Sequence, residues 1–225
     1  MIVLVCLESP SPSLASRTAL RLGCSLAEKA EVVVLSFGGE AENASIELAR
    51  QCASVRRIIH LQNTGLKKVD FFTLGMILAE AARYLAARVV LTGEHSDSEG
   101  QGMVPAALAH HLQAPLFARV QAASLAADDE VLHIRVRSGG RLCKVTSPLP
   151  VVLVMQAAHG IDHGQPAGVR NAGPTVEVLS LAQLGMDASR LVPRPELLGT
   201  FVAAPAGIVQ HKSFAVAARI LLRGQ

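Results

Sequence analysis

A rhythm in the first 115 residues constrains this chain more than any other feature. Short, aliphatic, largely β-branched runs recur at residues 2–7, 31–37, 57–61 and 88–92. Runs of that length and character suit strands covered on both faces. Helical spacing fills the intervals. Leu14, Thr18, Leu22 and Leu26 form one stripe, and Ile46, Ala49 and Ala53 a second. Leu74, Ile77, Leu78, Ala81 and Leu85 form a third, and Val104, Ala107, Leu108 and His111 a fourth. Such stripes mark amphipathic helices. Strands alternating with helices over short loops require right-handed crossovers, so the pattern predicts an α/β fold with a doubly wound, mostly parallel, Rossmann-like sheet.

After Pro115 the rhythm changes. Residues 116–122 read as another strand, and 131–137 with 142–146 as a β-hairpin turning at Ser138-Gly139-Gly140-Arg141. Pro148 and Pro150 precede the apolar run 151–155, residues 159–174 are rich in glycine and proline, and 176–181 resumes strand character. Beyond Arg190 the prolines 193, 195 and 205 dictate an extended course, followed by a short amphipathic helix over 213–223. An extended arm buries little of itself. The expected organisation is therefore an α/β nucleotide-binding-type core over 1–189 and an arm over 190–225 that packs on a partner subunit.

Composition removes several function classes. Half of the residues are hydrophobic, yet only 3% are aromatic, with one Tyr and no Trp. The core must be aliphatic, and the stacking platforms of single-strand nucleic-acid readers are missing. A net charge of +3 is too small for a phosphate-backbone binder. No apolar run approaches the ~20 residues of a membrane-spanning helix, so no membrane insertion is expected. The first residues enter an apolar run without a basic lead, unlike a signal peptide. Cys6, Cys24, Cys52 and Cys143 are widely spaced without a CxxC pair, which reads as reduced structural thiols in a cytoplasmic protein.

In doubly wound sheets, ligands sit beyond the carboxyl ends of the strands where strand order reverses. Three segments reach such positions: residues 7–13, Ser36-Phe37-Gly38-Gly39, and the loop from Thr92 to Gly102. Ser98 and Gln101 in that last loop have capping-box spacing, although Pro105 favours a helix start nearer Gly102. No Walker motif, no GxGxxG after the first strand and no GxSxG are present. His159 and His163 with Asp162 have metal-ligand spacing, but Gly160 and Gly164 oppose the helix that spacing needs. His110 and His111 are expected on opposite sides of a helix, at the surface or core edge. Arg135, Arg137, Arg141 and Lys144 are expected on a solvated hairpin face.

Taken in order, these features resemble the β subunit of electron transfer flavoproteins. The strand Val89-Val90-Leu91-Thr92-Gly93 with its polar loop ending Gly100-Gln101 is similar to that family's nucleotide loop. The hairpin about Gly139-Gly140, the strand entered at Leu149-Pro150-Val151-Val152, and the segment from Val176-Glu177-Val178 to Leu184-Gly185-Met186-Asp187 follow the family's order. Pro205-Ala206-Gly207-Ile208-Val209 and the helix after it resemble its partner-wrapping arm. The loop after strand one is shorter than in the family, and Asp97, Ser98 and Glu99 stand where the family's loop is longer. The resemblance implies a non-catalytic electron-carrier subunit. It would form a heterodimer with an α-like subunit that holds most of the FAD, and would serve a dehydrogenase or other oxidoreductase. It further implies a structural AMP near Cys6, Phe37, Gly38, Gly93, His95, Ser96, Asp97, Ser98, Glu99, Gly100 and Gln101. A stand-alone adenine-nucleotide-binding protein or small-molecule enzyme on the same fold is the alternative.

Overall fold

The computed structural model describes residues 1–8, 11–38, 43–62, 69–94, 102–126, 130–157, 173–187 and 191. The alternating half reads β1 (Ile2–Glu8), α1 (Leu14–Ser25), β2 (Glu31–Phe37), α2 (Ala44–Gln51), β3 (Val55–Leu61), α3 (Phe71–Tyr84), β4 (Ala87–Gly93) and α4 (Val104–Leu112). Then come β5 (Leu116–Leu125), β6 (Val131–Ser138), β7 (Arg141–Pro148), β8 (Val151–Met155) and β9 (Val176–Leu179). The sheet order is β7-β6-β5-β8-β4-β1-β2-β3-β9. All neighbours are parallel except β5–β6 and β6–β7. This is the α/β, doubly wound, mostly parallel arrangement that the alternation dictates.

Side-chain alternation along the central strands builds two aliphatic cores. Val3, Val5 and Leu7 of β1 face one way, with Ala19, Leu20 and Leu22 of α1 and Ile46 and Ala49 of α2. Leu4 and Cys6 face the other way, with Ile77, Leu78 and Ala81 of α3 and Leu108 of α4. The three innermost strands are apolar on both faces because both faces are covered. Aliphatic side chains fill most of these layers, which is how a chain so poor in aromatics closes its core.

Several boundaries differ from the sequence expectation. Cys52 ends α2 in extended backbone, at φ −82° and ψ 111°, so Ala53 lies beyond the stripe it was assigned to. The strand expected over 116–122 continues to Leu125, held by antiparallel pairing with β6. The last strand stops at Leu179, and Leu181 is buried within a turn instead. The hairpin turns as expected: Ser138 pairs with Arg141, and Gly139 and Gly140 both take positive φ, +54° and +77°. Two consecutive positive φ angles make a type I′ turn, whose twist matches that of the strands. The arm expected over 190–225 lies outside the described residues except for Leu191. No helix among the described residues is long and apolar enough to cross a membrane.

One buried polar group in this scaffold gives a measurable pH dependence. His60 of β3 is 3% exposed, beside Ser36 of β2 and Val178 of β9, and its Nδ1 has no hydrogen-bond partner among the described residues. Burial lowers its pKa below the ordinary 6.5. Burial, then His110 and Arg83, lower that of His111 as well. The unfolded chain therefore takes up protons first as pH falls below 6.5, and stability falls with it. The slope is at most about 1.4 kcal/mol per pH unit for each histidine. Urea unfolding at several pH values between neutral and mildly acidic should show this decline, and His60→Leu should flatten it. An unchanged slope in that variant would rule out His60 as a source.

Candidate functional site

The sheet has its reversal of strand order between β1 and β4. From β1 the chain winds outward through β2 and β3, then α3 returns it to β4 on the other side of β1. Helix α1 after β1 and helix α4 after β4 lie on opposite faces of the sheet, the arrangement that places a ligand crevice at the carboxyl edge between these strands.

On the β1 side, polar residues close the crevice. Ser13 caps α1, its hydroxyl accepting from the Ser16 N–H at 3.2 Å. The last residue of β1, Glu8, is 8% exposed. One of its carboxylate oxygens accepts the Ser13 N–H at 2.6 Å, and the other accepts the Ser16 hydroxyl at 2.5 Å. The buried Ser45 hydroxyl donates to the Glu8 carbonyl at 2.5 Å. Ser45 lies in the first turn of α2, where the Asn43 side chain accepts the Ser45 and Ile46 N–H groups at 3.0 and 3.1 Å. One residue thus ties two helix N-termini to the end of the central strand. A helix N-terminus attracts anions through its free N–H groups and its dipole. Here the chain's own carboxylate fills that place on α1.

The β4 side is different. Helix α4 starts at Val104 with Met103 as its N-cap, no side-chain hydrogen bond caps it, and Pro105 lies in its first turn. The start nearer Gly102 is the one observed; Ser98 and Gln101 lie outside the described residues. Thr92 of β4 is 6% exposed, and its hydroxyl has no hydrogen-bond partner among the described residues. It falls on the same sheet face as Val90, toward α3 and α4. An unpaired buried hydroxyl costs about 1–3 kcal/mol, so this one is a ready partner for a polar ligand atom. At Gly93 the strand runs against α1. A Cβ there would lie 2.6 Å from the Ser16 hydroxyl oxygen and 2.8 Å from the Ser16 nitrogen.

Of the residues expected to bind a cofactor, four fall among the described ones, on or directly after the three adjacent strands β4, β1 and β2. Cys6 is 2% exposed in the core, and burial, then Glu8, push its thiol up to about 12. Phe37 pairs with Glu8 at the end of β2 and is half-buried against the α3 side. Gly38 follows it with φ +78°, a conformation that favours glycine. Gly93 ends β4. His95, Ser96, Asp97, Ser98, Glu99, Gly100 and Gln101 lie outside the described residues. Sequence reasoning placed Glu8, Ser13 and Thr92 in candidate loop segments but gave them no individual role, and it passed over Ser16 and Ser45. The available signal was Ser13-x-x-Ser16 directly after a strand that ends on a carboxylate.

The other candidate clusters are also located. His110 and His111 do not face opposite sides: their rings meet edge to face with centroids 5.3 Å apart, and His111 lies 4.5 Å from the Phe72 ring. Adjacent helical residues are only about 100° apart around the axis, so both reach the same neighbour at the surface. Arg135, Arg137, Arg141 and Lys144 are exposed, as expected. His159, Asp162 and His163 lie outside the described residues. Among the described residues no group of three or more His, Cys, Asp or Glu could hold a metal ion.

No curated protein matches the chain at a significant level. The family model of the electron transfer flavoprotein domain matches residues 3–184, a span that includes β1 to β9 and the whole crevice.

Proposed function

The chain belongs to the electron transfer flavoprotein family, and from that premise we propose that it is a β-like subunit that packs over an FAD held mainly by an α-like partner. The observation that carries this reading is the filled N-terminus of α1. A dinucleotide held by a doubly wound domain sets its pyrophosphate on the first βα turn. Glu8 occupies that turn with a charge of the wrong sign, so a complete FAD does not fit there. The β4 side fits a smaller anionic nucleotide better, because α4 lacks a side-chain cap and Thr92 has a spare buried hydroxyl. An adenylate such as AMP would lie there, near Cys6, Phe37, Gly38, Gly93 and residues 95–101.

The hairpin supports a partner. On one face of β6 and β7, Arg135 stands opposite Lys144 and Arg137 opposite Leu142, which is 57% exposed. Like charges directly opposite are unfavourable, and an acidic partner surface would relieve them. In this reading residues 1–189 are the core and 190–225 the arm that wraps the partner. When bound, the flavin supplies the electron chemistry, and the protein supplies orientation and shielding. Electrons would pass from a dehydrogenase to an acceptor.

Co-expression with α-like subunits should yield a yellow heterodimer that releases FAD and AMP on denaturation, identified by mass spectrometry. A colourless monomer with every such partner would overturn the proposal. If that monomer retained AMP, the stand-alone nucleotide-binding alternative would take its place.

A further inference from the structure

Two of the four cysteines, 28 positions apart in sequence, meet in the fold. Cys24 lies next to the last residue of α1 and Cys52 is the C-cap of α2, and their sulfurs are 3.4 Å apart, both as free thiols. Cys6 belongs to the core on the opposite sheet face and Cys143 to β7, so this juxtaposition is specific to one pair. We propose that Cys24 and Cys52 form a redox-active dithiol, which a hydroperoxide oxidises to an intrachain disulfide joining α1 to α2.

The geometry divides the roles. Cys52 is fully buried, whereas Cys24 is only partly buried, so an oxidant reaches Cys24 first. The hydrogen bond between Cys24 and Cys52 favours loss of the Cys24 proton, burial opposes it, and a hydrogen bond with Ser54 adds to the first, so the pKa of Cys24 is lowered. Sharing a proton with Cys24, together with burial, raises that of Cys52. A more exposed thiol that gives up its proton more readily, beside a buried one that holds its proton, is the arrangement of attacking and resolving cysteines.

The chemistry balances with hydrogen peroxide as oxidant. The Cys24 thiolate attacks one peroxide oxygen and the O–O bond breaks. The departing hydroxide takes up the proton that Cys24 lost and leaves as water. Cys24 is now a sulfenic acid. Cys52 then attacks the Cys24 sulfur as it gives up its own proton, the S–O bond breaks, and the second hydroxide leaves with that proton as water. Two thiols have passed two electrons to the peroxide. The sulfurs must close from 3.4 Å to a bond of about 2.05 Å. Cys52 lies past the last helical residue of α2, in extended backbone, which leaves it outside the rigid helical lattice.

The test treats the reduced full-length chain with equimolar hydrogen peroxide. Two of the four thiols should disappear on titration under denaturing conditions, and the mass should fall by about 2 Da. Unreduced tryptic digests should contain peptide 22–29 joined to 51–56, and dithiothreitol should reverse the change. The crosslink should raise Tm by about 5–10 °C. Cys24→Ser and Cys52→Ser should each abolish the crosslink, while a Cys6→Ser/Cys143→Ser double variant retains it. Since Cys24 is partly exposed, its serine variant keeps the test valid even if Cys52→Ser folds poorly. Four thiols remaining, a crosslink through Cys6 or Cys143, or a sulfinic acid on Cys24 beside an untouched Cys52 would each overturn the proposal.

Discussion

Glu8→Ala is expected to destabilise the chain by about 2–4 kcal/mol and to lower Tm by roughly 5–15 °C. The substitution removes the acceptor for a backbone N–H at 2.6 Å and for the Ser16 hydroxyl at 2.5 Å, both buried. Hydrogen bonds to a charged group contribute about 1.5–3 kcal/mol each, and the donors left behind stay desolvated. Glu8→Gln keeps the shape and one acceptor oxygen, so about half that loss is expected. The direction of a second effect is opposite. With the carboxylate gone, the N-terminus of α1 becomes a vacant anion position. Phosphate should then raise the Tm of Glu8→Ala more than that of the parent chain. Equal stability of the two proteins would refute Glu8 as the tie between β1 and α1. Equal response to phosphate would refute it as the occupant of an anion site.

The contrast between Glu8 and the strand it ends shows what could be read before any coordinates. The sheet was legible because its strands lie under helices on both faces. Burial on two sides writes a continuous aliphatic run into the sequence, and the α1, α3 and α4 stripes carry the complementary period. Val151–Met155 needed only its five apolar residues, every one of which is buried. The candidate site was legible only in position. The edge after β1 and β4 followed from strand order, but the polar arrangement there depends on contacts across the fold. Ser45 reaches Glu8 over a separation of 37 residues, and no local pattern encodes that pairing. The Cys24–Cys52 contact is hidden for the same reason: two helix ends become neighbours only when β1 and β2 pair. Where the sequence pointed to a local device, the capping spacing of Ser98 and Gln101, the constraint of Pro105 was the stronger signal. Proline fits the first turn of a helix and disrupts its interior, and α4 accordingly begins at Val104.

Gly93→Val should cost about 3 kcal/mol or more, with a matching loss of any nucleotide retained by the complex. The cause is steric. A Cβ at this position meets the Ser16 nitrogen at 2.8 Å and the Ala15 carbonyl carbon at 3.2 Å, and backbone cannot rotate away as a side chain can. Overpacking of this kind typically costs 1–3 kcal/mol, and the two further methyl groups of valine raise it. The first turn of α1 has little freedom to retreat, because Glu8 holds it through both Ser13 and Ser16. That shared partner predicts non-additivity. Once Glu8 is removed, α1 can shift away from β4, so Gly93→Val should cost less in the Glu8→Ala background than in the parent. A double-mutant cycle read by urea unfolding should give a coupling of about 0.5–3 kcal/mol in that direction. Strict additivity would mean that Gly93 and Glu8 act on α1 independently, without the coupling through Ser16 that their shared contact predicts.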